Sequence, residues 1–223
     1  MRQRRGDPYA GVPGRRLFVG VPLPDDAAAA IAGIVDDVRA QPLPIGARDV
    51  RWVRLDGLHL TLRFLGPTSE EQIGATEAAV VSVARAVDGP IELELAGSGT
   101  FPPGGRPRTI WIGVAGDTDG LGRLGQGTED ALVAAGWPPD PRPFRPHLTL
   151  ARSDGIPVGP LVAERLASAM AGTTIRCTID TIGLFESVTG GGPARYVPIV
   201  LERLGTTPSD ATPVYHQTTP DPP

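Results

Sequence analysis

Two of the three histidines in this 223-residue chain head the same tetrapeptide, His-Leu-Thr-Leu, at His59–Leu62 and again at His147–Leu150. In an extended strand residues i and i+2 share a face, so His59 and Thr61 point one way while Leu60 and Leu62 point the other, and the second copy repeats this with His147 and Thr149. If the two strands lie side by side, two imidazoles and two hydroxyls face one small space, and each leucine pair anchors its strand in the core. An imidazole with an ordinary pKa of about 6.5 can be neutral in one copy and protonated in the other near neutral pH. That pair suits general acid-base catalysis at phosphorus: one ring takes a proton from water, its partner gives one to the leaving oxygen. Threonine hydroxyls on the same face can bind the nonbridging phosphate oxygens. A single H-x-T arises easily by chance in a strand, whereas two identical copies using two of three histidines do not. Neither motif is flanked by an HxxxH or a carboxylate cluster, so neither a metal nor any other cofactor is expected. The third histidine, His216, reads as a solvated residue near the C-terminus.

The elements that must mount these motifs alternate between strand and helix. LFVGV (17–21) is a short apolar strand, and Ile31, Ile34, Val35 and Val38 mark one face of a helix capped by Asp25 or Asp26. RWVRL and HLTLRFL read as a strand pair. Thr68 with Glu71 forms a capping box ahead of Ile73, Val80, Val83, Ala84 and Val87. IELEL (91–95) and TIWIGV (109–114) are strands, and Leu121, Leu124, Leu132 and Val133 give a helix stopping near Gly136. After the second motif come a helix over 158–170, an alternating run from Thr174 to Phe185, and a strand around Tyr196–Leu201. This order predicts an α+β protein of mostly antiparallel sheets backed by helices. Residues 1–14 and 205–223 lack apolar periodicity and read as disordered tails around a single body over 15–204. The glycines at Gly104-Gly105 and Gly190–Gly192 follow no strand-to-helix fingerprint and read as loop tips.

Composition removes several function classes. A net charge of −4 argues against a protein that coats nucleic acid through a broad basic surface, so any RNA contact must be local. All 21 basic residues are arginine, which excludes Schiff-base lysine chemistry and a P-loop lysine and leaves guanidinium groups suited to phosphate. The single Cys177 excludes an intramolecular disulfide and sits in an alternating strand pattern, where a half-buried packing role outweighs a nucleophile. Arg15-Arg16-Leu17-Phe18 resembles the start of an export signal, but Pro22, Pro24, Asp25 and Asp26 interrupt the apolar run that follows. No stretch reaches membrane-spanning length. The expectation is a cytoplasmic protein without a membrane partner, monomeric by default.

These segments resemble the 2H phosphoesterases, and within them the bacterial RNA 2′,3′-cyclic phosphodiesterases, also called 2′-5′ RNA ligases. The resemblance runs from RLFVGVPLP (16–24) through GLHLTLRFLG (57–66), GTFPPGGRPRTIWIGV (99–114) and RPFRPHLTLAR (142–152) to ARYVPI (194–199). It implies a bilobal fold, two pseudo-symmetric lobes with the active-site groove between them. It implies metal-independent hydrolysis of an RNA or nucleoside 2′,3′-cyclic phosphate to a 2′-phosphate. By the same resemblance His59 is the proton donor to the leaving 3′-oxygen, His147 the proton acceptor that activates water, and Thr61 and Thr149 the phosphate ligands. The partners would be RNA ends or nucleotides carrying a cyclic phosphate.

The neighbours of the motifs supply further candidates for substrate binding. Arg63 shares the face of His59 by strand parity and Arg145 lies just before His147, so both are candidate phosphate contacts, with a surface salt bridge the competing role for each. Arg152 lies five residues beyond His147, on the opposite face of a regular strand, and reads as outward or at the strand end. Phe64, Phe144 and Tyr196 offer rings for stacking on a base, with core packing the competing role. Two other functions compete with hydrolysis: 2′-5′ RNA ligation, which is the reverse chemistry, and a noncatalytic nucleotide-binding module. A receptor has no need for a matched acid and base.

Overall fold

The structure is a computed structural model and describes residues 12–43, 50–104, 106–153, 158–190 and 192–205. The two expected tails fall almost wholly outside these residues, as do His216, Gly105 and Gly191. Thirteen strands and helices follow the expected order: β1 Arg15–Pro22, α1 Asp25–Ala40, β2 Val50–Trp52, β3 His59–Thr68, α2 Glu70–Ala86, β4 Ile91–Phe101, β5 Thr109–Gly116, α3 Thr118–Ala134, β6 His147–Ser153, α4 Val158–Met170, β7 Thr174–Ile179, β8 Thr181–Val188 and β9 Arg195–Arg203. A single 3-10 turn, Leu55–Gly57, precedes β3.

The strands form two antiparallel sheets, one ordered β3-β1-β8-β9 and the other β2-β6-β5-β4-β7. The fold is therefore α+β with helix-backed sheets, as the element pattern predicts. Each sheet buries one face. On β1 that face is Leu17, Val19 and Val21, each wholly buried, and the apolar stripe of α2 (Ile73, Val80, Val83) covers it together with α3. On the second sheet Leu93, Leu95, Ile110, Ile112, Leu148 and Leu150 are all essentially inaccessible beneath α1 and α4. Each such side chain contributes about 1.5–3 kcal/mol by leaving water, and together they make both motif strands rigid mounts.

Several local expectations change. RWVRL and HLTLRFL are not a pair: β2 joins β6 in the second sheet, while β3 is the edge of the first. The alternating run from Thr174 breaks at Asp180, sending β7 and β8 to different sheets. The box capping α2 is Ser69 with Gln72, one residue later than Thr68 with Glu71, because Thr68 ends β3 and its buried hydroxyl donates to the Gly66 carbonyl at 3.0 Å. On α1, Pro24 takes the cap position and Asp25 and Asp26 occupy the first turn, where they favour the helix dipole. Cys177 is buried on β7. Among the described residues no helix is long and apolar enough to cross a membrane.

Candidate active site

Both motif strands carry a β-bulge at the last residue of the tetrapeptide. Gly20 pairs with Thr61 but Val19 pairs with Arg63, leaving Leu62 without an opposite number; Trp111 pairs with Thr149 but Ile110 pairs with Ala151, leaving Leu150 so. The extra residue reverses the alternation beyond it. Up to the bulge, His59 and Thr61 face one side, and His147 and Thr149 do the same from the second sheet. Past it the residue four positions after the histidine turns to the helix side and the residue five positions after turns to the groove. Arg63 thus pairs with buried Val19 while Phe64 pairs with Phe18, and Ala151 pairs with buried Ile110 while Arg152 pairs with Thr109 on the face of Trp111.

The two arginines accordingly exchange their expected places. Arg63 is only 8% exposed and bonds the Glu129 carboxylate at 2.9 Å and the Pro138 carbonyl at 2.6 Å. Arg152, expected to point outward, lines the groove, and its charge bears on His59, His147 and Tyr196 alike. A signal for this stood in the second motif. A regular strand puts Ala151 in the groove and Arg152 in the core, a conflict that one extra residue resolves. HLTLRF carries no such conflict.

The two imidazoles are held alike. Nδ1–H of His59 donates to the Gly57 carbonyl at 2.8 Å, and Nδ1–H of His147 donates to the Arg145 carbonyl at 2.7 Å. A carbonyl only accepts, so each bond fixes the proton on Nδ1 and leaves Nε2 as the working nitrogen. Aromatic rings fix the planes. His59 stacks on Phe18 with centroids 4.6 Å apart and meets the edge of Tyr196 at 4.7 Å; His147 meets Phe101 edge-on at 5.0 Å and Trp111 at 6.3 Å. Two glycines open these cages: a side chain at Gly57 would meet Tyr196 at 3.0 Å, and one at Gly99 would run into the Trp111 ring.

Burial lowers both histidines below the ordinary imidazole pKa; the carbonyl bonds oppose this and the charge of Arg152 adds to it. Both rings are therefore chiefly neutral at neutral pH in the free protein. The stability consequence has a definite sign. The neutral rings contribute stability that is fully present above about pH 6.5 and is lost as pH falls through the lower folded values, because the unfolded chain binds those protons first. Urea unfolding midpoints should thus be flat above that pH and decline below it, and replacing both histidines by phenylalanine should remove part of the decline.

All eight candidates line one groove of about 1810 Å³ between the sheets: His59, Thr61, Arg63, Phe64, Arg145, His147, Thr149 and Tyr196. Phe144, a further candidate for stacking, packs its ring onto Gly125 of α3 at the groove wall. Phe18, not singled out from the sequence, and Arg152, expected to point outward, join them. Arg16, Arg63, Arg142, Arg145 and Arg152 line the groove against the carboxylates Glu129, Asp130 and Asp140, so it is locally basic despite the acidic total. Among the described residues no group of three or more His, Cys, Asp or Glu side chains could hold a metal ion. Gly20, opposite Thr61, leaves no room for a side chain: a methyl there would meet the Leu60 carbonyl oxygen at 2.9 Å and the His59 ring at 3.4 Å. Gly20→Ala should cost about 1–3 kcal/mol of stability as an overpacking change, read by denaturant midpoint, and should also slow turnover through the displaced ring.

The chain is similar to known proteins over most of its length. The chain is 35% identical over 159 residues to the RNA 2′,3′-cyclic phosphodiesterase of Geobacillus stearothermophilus, a match taking in 71% of this chain and about half (48%) of that protein. It is 30% identical over 186 residues to the RNA 2′,3′-cyclic phosphodiesterase of Escherichia coli K12, covering 83% of this chain and 94% of the relative. The crystal structure of E. coli LigT complexed with 3′-AMP superposes with a TM-score of 0.63 at 25% identity, over 86% of this chain and 99% of that one. The sequence profile of the 2′-5′ RNA ligase superfamily matches residues 22–191, a span that takes in both histidine motifs, the bulged residues Leu62 and Leu150, and strand β5, and the chain belongs to that superfamily.

Proposed function

We propose that this protein hydrolyses RNA or nucleoside 2′,3′-cyclic phosphates to 2′-phosphates by two-histidine acid-base catalysis. The observation that carries the reading is the matched pair of imidazoles, each with Nδ1 tied to a backbone carbonyl and Nε2 left for the groove. In this reading neutral His147 takes a proton from water as its oxygen bonds to phosphorus. The bond from phosphorus to the 3′-oxygen breaks in line, and protonated His59 supplies that oxygen with its proton. The relative burial of the rings supports this division: His59 is the more deeply enclosed and His147 the more open to water. Thr61, Thr149 and Arg152 receive the charge on the nonbridging oxygens, Arg152 by its planar fork of donors, and Arg145 extends the basic wall. Tyr196 and Phe64 offer rings to the base.

A phosphate carrying negative charge favours protonation of a nearby imidazole. Substrate binding therefore loads the acid that the free protein lacks at neutral pH. The nucleotide complex of the structural relative supports a nucleotide-sized occupant for the groove. Ligation changes the nucleophile and does not reverse the step: with an RNA 5′-hydroxyl in place of water, His147 takes its proton as its oxygen bonds to phosphorus, the bond to the 3′-oxygen breaks with a proton from His59, and a 2′-5′ linkage results, the activity in the superfamily's name. A phosphorus NMR time course with a nucleoside 2′,3′-cyclic phosphate and EDTA tests the proposal. A 2′-monophosphate as sole product supports it, a 3′-phosphate reverses the leaving oxygen, and an ester that survives high protein concentration leaves the receptor reading in its place.

A further inference from the structure

We infer that Arg63 is a positioning residue that carries the geometry of the first motif strand to the second catalytic histidine. The chain leaves the second sheet at β5, lays α3 against α2 and β3 of the first lobe, and returns to the second sheet at β6. The return segment, residues 135–146, sets where His147 stands, since the carbonyl of Arg145 at its end accepts the His147 Nδ1–H. Arg63, turned toward α3 at the groove wall by the Leu62 bulge, grips this segment. Its Nη2 donates to the Pro138 carbonyl at 2.6 Å and its Nη1 lies 2.9 Å from Glu129 of α3 and 3.4 Å from Asp140. The Asp140 N–H closes the circuit on Glu129 at 2.8 Å, and the Asp140 carboxylate accepts from the backbone N–H and guanidinium of Arg142, each at 3.0 Å.

Two further contacts pin the segment on either side of that clasp. Trp137 Nε1–H donates to the Thr76 hydroxyl of α2 at 3.0 Å, and the Phe144 ring lies on Gly125 of α3, where a methyl group would approach it to 2.8 Å. A buried cation between two carboxylates and a carbonyl has little freedom to shift without leaving charge unpaired. The clasp thus ties strand β3, and with it His59 and Thr61, to the residues that fix the Nδ1 tautomer of His147. Arg63 touches the second imidazole only through Pro138, Asp140, Arg142 and Arg145.

Nitrogen NMR of the full chain labelled at histidine nitrogens, recorded above the titration of both rings and assigned with single histidine variants, tests this directly. In the wild type His59 and His147 are both Nδ1-protonated. In Arg63→Met the His147 signals should move toward a mixture of tautomers while those of His59 stay, and Arg63→Lys, which keeps the charge and loses the fork, should give a smaller change. In the rate arm, which rests on the proposed hydrolysis, kcat for a nucleoside cyclic phosphate should fall roughly a hundredfold in Arg63→Met, the scale of a misplaced catalytic group, with KM unchanged. A rise in KM at constant kcat, or an unmoved His147 tautomer, would overturn the clasp. A wild type that hydrolyses no cyclic phosphate would sink the hydrolysis reading alone, because the tautomer shift needs no turnover. If Arg63→Met does not fold, Asp140→Asn opens the same clasp with a smaller change and carries the same tautomer expectation.

Discussion

His59→Ala and His147→Ala should each lower cyclic phosphate hydrolysis by about 10²–10⁴-fold, the usual worth of one positioned acid or base. The double variant should lie close to the worse single variant, because an acid and a base acting in one displacement are not independent. Fold loss would not explain such an effect. Neither ring belongs to the buried apolar core beneath the helices, although each alanine leaves a backbone carbonyl, Gly57 or Arg145, without its donor. Circular dichroism and a retained cooperative transition check this. The two variants also separate the roles that identical motifs conceal. A phosphodiester with an aryl leaving group departs without a proton, so it should restore turnover in the variant lacking the acid and not in the variant lacking the base. Recovery in His59→Ala alone supports the assignment made above; recovery in His147→Ala alone exchanges the two; equal activity of either variant and the wild type on the cyclic ester removes the mechanism.

The features that make this test sharp were unevenly legible in the sequence. The repeated tetrapeptide pointed to the candidate site, and the i, i+2 rule placed His59 with Thr61 and His147 with Thr149, because all four lie before the bulges. Element order was legible because each helix carries a clear apolar stripe and each strand a short apolar or alternating run. Sheet assignment was not. Neighbouring segments such as β2 and β3, or β7 and β8, enter different sheets, and nothing in local hydrophobic pattern says which partner a strand finds across the core. The aromatic cage of His59 illustrates the cost of this. Tyr196 and Phe185 reach it from strands far along the chain, through pairing that only the folded register discloses.

Arg152→Met should lower kcat/KM by about 10²–10³-fold, as expected for losing one donor to developing charge, and should also move the pH profile upward. The sign follows from what surrounds the two rings. Burial is the larger reason that His59 and His147 titrate low, and the positive charge of Arg152 is a further one. Removing that charge makes protonation easier at both. The bell-shaped profile of kcat/KM reports the free protein's acid and base, so in the wild type it should be centred below about pH 6.5, the ordinary imidazole value, and in Arg152→Met both limbs should lie at higher pH. The kcat profile should already extend further to the alkaline side, because bound substrate phosphate stabilises the protonated acid. Arg152→Lys divides charge from geometry: a point charge keeps the profile where it was while the rate still falls, since the planar fork that grips two phosphate oxygens is gone. A Met variant whose limbs do not move would show that Arg152 senses neither histidine. That outcome would take Arg152 away from both imidazoles, and would count against the Leu150 bulge, on which its access to the groove depends, as a feature of the site.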